Sequence, residues 1–203
     1  MFISFEGIDG SGKGTQVSLF LSYLERQGLP FVRVREPGGT ELGEAIRKLL
    51  LAKEEISICP RAELFLFLAS RSQLVSEIVL PALRENKIVV ADRFIDSSVA
   101  YQGAARKLGT KIVEELNDFA TCGLKPDLTY YIDITPETAL RRKRGSDRIE
   151  SEGIKFLAAV REAYLNLLEQ HSNRIVLING ERSVDEIHQE IIRIFEDFSR
   201  RKK

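Results

Sequence analysis

The sequence predicts an α/β fold built on one five-stranded parallel sheet that is flanked by helices. Short apolar runs alternate with longer segments whose apolar residues recur at helical spacing, and this alternation is typical of βαβ units. A chain of 203 residues has the length of one ordinary domain, and no linker or internal repeat divides it. We therefore expect a single domain over residues 1–203. The predicted strands are 2–6, 31–35, 88–91, 128–133 and 175–178.

The first predicted strand runs into a glycine-rich segment that opens a helix. In this context glycines let the backbone approach a polyphosphate, and N–H groups at the helix N-terminus face the anion. Lys13 would supply a mobile cation for the outer phosphates, although a glycine turn followed by a surface lysine gives the same local pattern. Gly14 stands where such loops usually carry the Ser or Thr that ligates Mg²⁺, which favours contact with the metal through water. The segment is Gly7, Ile8, Asp9, Gly10, Ser11, Gly12, Lys13, Gly14 and Thr15.

The second strand ends in the charged turn Arg35-Glu36-Pro37-Gly38-Gly39-Thr40. Ligands collect beyond the carboxyl ends of strands in a parallel sheet, so this turn is a candidate ligand loop. A tight connection is an equal alternative. Arg47 follows on a helix, on a different side from its apolar residues, where a surface arginine is the ordinary outcome. Those apolar residues are Leu42, Ala45, Ile46, Leu49 and Leu50.

Residues 62–83 contain too many apolar side chains for a one-sided surface helix. The pattern predicts a central helix that packs on more than one face. Phe67 and Arg71 are four residues apart and share a face, where stacking and hydrogen bonds together could hold a flat heterocycle. Taken singly, a core phenylalanine and a surface ion pair are the ordinary alternatives.

The strand 88–91 leads directly into Asp92 and Arg93. An acid at the end of a buried strand holds Mg²⁺ or its water shell in enzymes with a phosphate-binding loop. Asp133, at the end of strand 128–133, has the same form. Arg93 favours Asp92, because an arginine beside the acid can clamp a second phosphate. A polar set follows on the next segment: Ser97, Ser98, Tyr101 and Gln102.

A helix predicted to start at Thr135-Pro136 leads into the basic run Arg141-Arg142-Lys143-Arg144-Gly145-Ser146-Asp147-Arg148. Basic residues beside a glycine hinge, in a protein with a phosphate-binding loop, favour a lid at about 141–150 over a solvated helix end. Such a lid would bring guanidinium groups to the phosphoryl group in transfer. A capping box at 183–186 predicts the start of the last helix.

The composition argues against two classes of binding partner, nucleic acids and membranes. Lys and Arg total 30 and balance 30 Asp and Glu, so no global field recruits nucleic acid or a membrane. No apolar stretch approaches the ~20 residues of a membrane span. The N-terminus enters a strand without the pattern of a signal peptide. Cys59 and Cys122 are too few and too isolated for a disulfide scaffold or a zinc site, so we expect reduced thiols in a cytoplasmic protein.

Taken together, these residues resemble the thymidylate kinase family in its bacterial form. The resemblance covers nearly the whole chain, and the segments are specific as an ordered set although each alone is weak. They are Phe5-Glu6-Gly7-Ile8-Asp9-Gly10-Ser11-Gly12-Lys13, Arg35-Glu36-Pro37-Gly38-Gly39-Thr40, Phe67 with Arg71, Asp92-Arg93-Phe94, Ala100-Tyr101-Gln102-Gly103 and Asp147-Arg148-Ile149-Glu150.

The resemblance implies a phosphate-loop nucleoside-monophosphate-kinase-like fold with a short lid. It implies transfer of the γ-phosphoryl group of ATP to dTMP, giving dTDP and ADP in dTTP biosynthesis, with Mg²⁺ bound as ATP·Mg. It also implies a cytoplasmic homodimer, for which the apolar helix 62–83 is a candidate interface. Neither nucleic acid nor a membrane is an expected partner.

The resemblance also implies the roles of individual residues. ATP would be held by the segment from Gly7 to Thr15 and by Asn179 in the loop after the last strand, and Asp92 would hold the metal, directly or through water. Phe67 would stack on thymine, Arg71 would hydrogen-bond the base, and Tyr101 would close off the 2′ side of the sugar. The dTMP-binding set is Asp9, Glu36, Pro37, Arg47, Phe67, Arg71, Arg93, Ser98, Tyr101 and Gln102.

The family places its catalytic arginine either in the phosphate-binding loop or in the lid. Gly10 stands at the loop position, so this chain resembles the lid group, with Arg144 as the first choice. The implied catalytic set is Lys13, Asp9, Arg93, Arg144, Arg148 and Arg142.

Three other functions compete with this interpretation. The nearest is a kinase for another (deoxy)nucleoside monophosphate, such as dUMP, AMP or CMP. A GTPase-like switch is a different class, but such switches read guanine with an Asn-Lys-x-Asp run, and Asn86-Lys87-Ile88-Val89 lacks the acid. Balanced charge and short length disfavour a nucleic-acid-dependent ATPase.

Overall fold

A computed structural model describes residues 1–52, 57–142 and 153–201 and has the predicted parallel α/β sheet. All strand pairs are parallel, in the order β2-β3-β1-β4-β5. The predicted strand bounds are confirmed, except that two strands run one residue further. The strands are β1 (Phe2–Glu6), β2 (Phe31–Arg35), β3 (Ile88–Asp92), β4 (Leu128–Asp133) and β5 (Ile175–Asn179).

Helices connect and cover the strands. One long helical stretch combines α3 (Pro60–Leu74), a π-helical segment (Val75–Val79) and α4 (Leu80–Arg84). A second combines α5 (Ile95–Ser98) with the π-helical segment Val99–Ala105. The others are α1 (Lys13–Arg26), α2 (Glu41–Leu51), α6 (Thr110–Thr121), α7 (Pro136–Arg142), α8 (Ile154–Gln170) and α9 (Val184–Arg201).

Side chains cap the N-termini of α2 and α9. Thr40 Oγ1 accepts the Gly43 N–H at 2.9 Å and caps α2. The predicted capping box is confirmed, because Ser183 N–H donates to Glu186 Oε2 at 3.0 Å and Glu186 N–H donates to Ser183 Oγ at 3.4 Å. These contacts satisfy backbone donors that a helix leaves without intrahelical partners.

The three central strands, β1, β3 and β4, are buried on both faces of the sheet. On one face, Phe5 and Tyr130 pack against Phe20 of α1 and Phe195 of α9. The opposite face of the sheet packs against α8 and against the helical stretches that begin with α3 and α5. Its buried residues include Leu64, Val99, Tyr131, Val160 and Tyr164. Strands covered on both faces read as continuous apolar runs, which is why their bounds could be predicted closely.

The stretch 60–84 is a core helix on one side and exposed on another. Leu64, Leu68 and Leu74 are buried, whereas Phe65 is 59% exposed. By length and composition alone it could cross a membrane, but its buried residues pack into the core as in a globular protein. The stretch packs against α2 and α6, on more than one face as expected, and leaves Phe65 exposed.

The apolar residues of α2 divide between two faces. Ile46 and Leu50 are buried, whereas Leu42 and Leu49 are 48% and 43% exposed. Cys59 and Cys122 are exposed and form no disulfide within the described ranges.

Candidate active site

The carboxyl ends of β1, β2 and β3 open into a cavity of about 400 Å³. Most of the predicted site residues line it, together with Arg35 of the predicted charged turn, Ser97 of the predicted polar set, and Leu51. The predicted residues in its wall are Asp9, Gly10, Gly12, Lys13, Gly14, Thr15, Glu36, Pro37, Arg47, Phe67, Arg71, Asp92, Arg93, Ser98, Tyr101 and Gln102. The topology places them there because neighbouring parallel strands end at the same edge of the sheet.

The glycine-rich segment has the geometry of an anion-binding loop. Gly7 has a φ of 144°, and a Cβ there would lie 2.5 Å from the Ile132 carbonyl oxygen, so only glycine fits between β1 and β4. Lys13 is buried, and its Nζ donates to the Gly7 oxygen at 2.9 Å and the Ile8 oxygen at 3.1 Å. Burial, reinforced by the Arg93 cation, lowers the pKa of Lys13 to about 8. A bound polyphosphate would favour the charged form.

Arg93 lies at the centre of the cavity wall. Its Nη2 donates to Asp9 Oδ1 at 2.5 Å, and its Nη1 donates to the Gly7 oxygen at 3.0 Å. Its guanidinium also lies 5.1 Å from the Tyr101 ring centroid. Burial raises the pKa of Asp9, but the cations of Arg93 and Lys13 outweigh it and bring the pKa to about 2. Asp9 is therefore a carboxylate at neutral pH.

Sequence reasoning missed Glu6, which is fully buried below this ion pair. Its Oε1 accepts the Phe94 N–H at 2.7 Å, and its Oε2 accepts the hydroxyls of Ser97 at 2.6 Å and Tyr164 at 2.8 Å. Ser97 Oγ in turn accepts Arg93 Nη1 at 3.1 Å. Burial, together with Asp96, raises the pKa of Glu6 to about 7. The signal in the sequence that could have identified Glu6 is an acid at the end of a mostly apolar strand.

Arg71 is 1% exposed and binds the protein itself, which corrects the alternative of a surface ion pair. Its Nε and Nη2 donate to Glu36 Oε2, its Nη2 also donates to the Phe94 oxygen, and its Nη1 donates to Ser98 Oγ and Asn117 Oδ1. All five guanidinium N–H groups thus have protein acceptors. Its role as a donor to the base stays a prediction, and that role requires Arg71 to exchange one of these acceptors.

Asp92 and Asp133 both end a strand, so the local sequence pattern alone does not show which of them is the metal ligand. Their surroundings in the structure differ. Both carboxylate oxygens of Asp133 accept from Arg161 at 2.8 Å, and Oδ1 also accepts the Tyr131 hydroxyl at 2.7 Å. Asp92 instead lines the cavity, as do Lys13 and Gly14. An oxygen donor in this position suits Mg²⁺. Within the described ranges no group of three His, Cys, Asp or Glu residues could hold a metal, so phosphates and water would have to complete the shell.

Among the described residues, neither the candidate lid arginine Arg142 nor the candidate adenine-contacting residue Asn179 lines the cavity. Arg144 and Arg148 lie outside the described residues. Arg142 is described, and its Nη1 donates to the Gly180 oxygen at 3.0 Å rather than lining the cavity. Asn179 ends β5, and its Oδ1 accepts the Glu181 N–H at 3.0 Å. Arg142 thus joins the start of the lid region to the loop after β5. Arg47, in the cavity wall, donates to the Pro37 oxygen at 2.8 Å.

A family model, sequence relatives and a solved structure that match this chain all carry the same description. A family model described as thymidylate kinase matches residues 5–191. A thymidylate kinase of Fervidobacterium nodosum is 52% identical over 197 residues, covering 96% of this chain and 98% of the relative. One from Kosmotoga olearia is 50% identical over 198 residues, covering 96% and 95%. A crystal structure of thymidylate kinase from Ehrlichia chaffeensis matches with a TM-score of 0.79 at 33% identity, covering 96% of this chain and 98% of that chain.

The raised pKa of Glu6 predicts a loss of stability with rising pH. The native state keeps a proton up to a pKa of about 7, whereas the unfolded chain releases it near 4.5, so stability falls as pH rises through this window. Between pH 5 and pH 8 the free energy of unfolding should fall by on the order of 1–3 kcal/mol more in the wild type than in Glu6→Gln. Urea unfolding at both pH values measures the difference.

Glu25→Gln changes an exposed acid on α1 and should keep the wild-type dependence. An equal decrease in the wild type and Glu6→Gln would contradict the assignment.

Proposed function

This chain belongs to the thymidylate kinase family, and from that premise we propose that it transfers the γ-phosphoryl group of ATP to dTMP, giving dTDP and ADP. The observation that carries the proposal is the continuity of one cavity. The phosphate-binding loop forms one part of its wall, Phe67 and Arg71 form another, and Asp92 and Arg93 join the two. Two nucleotides can lie end to end in such a space.

The ATP site is assigned to the loop from Gly7 to Thr15, with Lys13 near the outer phosphates and Asn179 at the adenine end. Mg²⁺, when bound, would neutralise charge on the transferring phosphoryl group. Asp92 would hold it, directly or through water, since Gly14 provides no hydroxyl next to the lysine. The exposed Thr15 lies one residue later and also lines the cavity.

The acceptor site is assigned to the opposite part of the cavity wall. Phe67 would stack on the base, and Tyr101 would exclude a 2′-hydroxyl by occupying that side of the sugar. Arg47 and Arg93 would hold the acceptor phosphate, and Asp9 would approach the 3′-hydroxyl. Glu36, Pro37, Arg71, Ser98 and Gln102 complete the proposed pocket.

The acceptor is already an anion, so the reaction needs positioning and charge neutralisation rather than a strong base or a covalent intermediate. Lys13 and Arg93 supply cations from the described residues. We assign the catalytic arginine of the lid, at about 141–150, to Arg144, with Arg142 and Arg148 as its neighbours in sequence. In a single domain spanning 1–203, this lid would bring these groups over the cavity.

A screen of monophosphate acceptors tests the function. Purified protein with ATP·Mg is given dTMP, dUMP, dCMP, AMP or CMP, and ADP release is measured. The proposal predicts the highest kcat/KM with dTMP. Turnover that prefers another acceptor would replace the substrate assignment, and DNA-stimulated ATP hydrolysis without a dTMP response would overturn the reaction itself.

We also propose a cytoplasmic homodimer. Helices α2, α3 and α6 pack side by side, and each leaves large apolar side chains exposed. Phe65 of α3 is 59% exposed, while Ile112 and Phe119 of α6 are 52% and 86% exposed. Exposed apolar surface of this kind is suited to a second copy of the chain.

Arg93→Ala should lower kcat by about 10²–10³-fold, because it removes a fixed donor from the charge that is transferred. Arg144→Ala should lower kcat strongly as well. Steady-state kinetics at saturating ATP and dTMP measure both effects. Arg84→Ala, at an exposed arginine of α4, is the matched control. Near-normal turnover of either active-site variant, once its folding is verified, removes that arginine from the catalytic set.

Phe67→Ala should raise the KM for dTMP roughly ten-fold while changing kcat less, since stacking on an aromatic ring stabilises a bound base by ~1–3 kcal/mol. The measurement is a dTMP titration at saturating ATP. Leu177→Ala, at a residue of β5 that is 43% exposed and lies outside the cavity wall and the proposed interface, is the control. An unchanged KM in Phe67→Ala would rule out the stacking role.

Phe119→Glu should shift the protein from dimer to monomer, because it puts a charge on the proposed apolar interface. Sedimentation velocity at several concentrations measures the change. Val184→Glu alters an exposed residue of α9, 49% exposed and outside those three helices, and should leave the dimer intact. A wild type that sediments as a monomer throughout would reject the dimer.

A further inference from the structure

Gln102 lies in the cavity wall with the orientation of its amide fixed by a contact behind it. It belongs to the π-helical segment Val99–Ala105 and is 2% exposed. Its Nε2 donates to Glu63 Oε1 at 2.8 Å. Because the amide has a donor end and an acceptor end, this contact decides which end remains for a ligand.

Glu63 is itself held in place. It lies in the first turn of α3 and is 1% exposed. Arg106 Nε donates to its Oε1 and Arg106 Nη2 to its Oε2, both at 3.3 Å. The Arg106 guanidinium also lies 4.8 Å from the Phe156 ring centroid. An ion-paired carboxylate only accepts hydrogen bonds, so Glu63 admits the NH₂ end of Gln102 and excludes the carbonyl end.

The opposite end of the Gln102 amide is therefore a fixed acceptor. Within the part of the chain that the structure describes, Gln102 Oε1 receives no hydrogen bond, and Gln102 lines the cavity. Ser98 lies four residues earlier, and its Oγ accepts Arg71 Nη1 at 3.0 Å. The Ser98 hydroxyl proton is then directed to a different acceptor. The wall thus offers one acceptor and one donor, four residues apart.

An acceptor from Gln102 and a donor from Ser98 match pyrimidines that carry an N–H group at N3. Thymine and uracil carry an N–H donor at N3 beside carbonyl acceptors, whereas cytosine carries an acceptor at N3 beside an amino donor. Arg71 cannot supply this distinction without giving up a protein acceptor, because its five N–H groups are already used. A buried polar group left unpaired against the wrong base is costly, so the amide orientation affects selectivity.

We propose that Glu63, held by Arg106, is a positioning residue that fixes the carbonyl of Gln102 toward the cavity and so selects bases with an N3–H group over cytosine. The proposal rests on the proposed function and adds the origin of its base selectivity. Glu63 acts through Gln102 and does not touch the nucleotide.

Glu63→Gln tests this directly. The introduced amide can give its carbonyl to Arg106 and its NH₂ group to the carbonyl of Gln102, which lets the Gln102 amide turn over. The ratio of kcat/KM for dTMP to that for dCMP should then fall about ten-fold or more, as expected for one mismatched hydrogen bond. The ratio for dTMP to dUMP should stay within about two-fold, because both bases carry N3–H.

A double-mutant cycle separates positioning from general structural damage. In a Gln102→Ala background, Glu63→Gln should no longer change the dTMP to dCMP ratio, because the amide that it orients is absent. Glu77→Gln, at an exposed acid on the same helical stretch, should leave both ratios unchanged. If Glu63→Gln does not fold, Glu63→Met removes the fixed acceptor at similar volume and carries the same expectation.

The possible results distinguish this inference from the proposed function. A wild type that does not prefer dTMP to dCMP overturns the function, and with it the inference. A wild type that prefers dTMP while Glu63→Gln keeps the wild-type ratio overturns the inference alone. An equal change of ratio in the Gln102→Ala background also overturns it, because the effect would not pass through the amide.

Discussion

The ion pair between Arg93 and Asp9 is the interaction on which the site depends. It exists because β1 and β3 are neighbours in register, with Phe5 opposite Asp92, so the loop after one strand meets the residue after the other. Arg93 also binds the Gly7 oxygen, which fixes the side chain against the phosphate-binding loop itself. The two proposed nucleotide sites therefore meet at a contact between adjacent strand ends.

Two buried acidic residues near this contact, Glu6 and Asp96, hold the surrounding groups in place through hydrogen bonds. Glu6 anchors Phe94, Ser97 and Tyr164, while Asp96 accepts Arg174 through both carboxylate oxygens at 2.8 and 2.7 Å. A buried ion pair contributes little net stability, but breaking it is costly, so such networks restrict the arrangement of the side chains they bind. Preorganised donors of this kind are what charge stabilisation during phosphoryl transfer requires.

The sequence was sufficient for the strands, the glycine loop and the helix caps, because each depends on a local pattern of apolar residues, glycines or capping groups. It was insufficient where the partner is distant. Glu6 meets Tyr164 across 158 positions, and Gln102 meets Glu63 across 39. Taken alone, Arg71 is expected on the surface, but in the structure it is buried and donates to Glu36 and Asn117. Asp92 and Asp133 have the same local form, and Arg161 binds only the second of them. Local spacing carries no information about such pairs.

Arg93 has a φ of 72°, a left-handed conformation that costs a residue with a Cβ on the order of 1–2 kcal/mol. Glycine at this position would relieve that cost but would also remove the guanidinium. Its loss would leave the Asp9 carboxylate without its ion-pair partner, and this cost opposes the gain from relaxing the backbone. The ion pair with Asp9 thus accompanies a strained backbone at Arg93, so attempts to stabilise the protein by relaxing its backbone should leave this position alone.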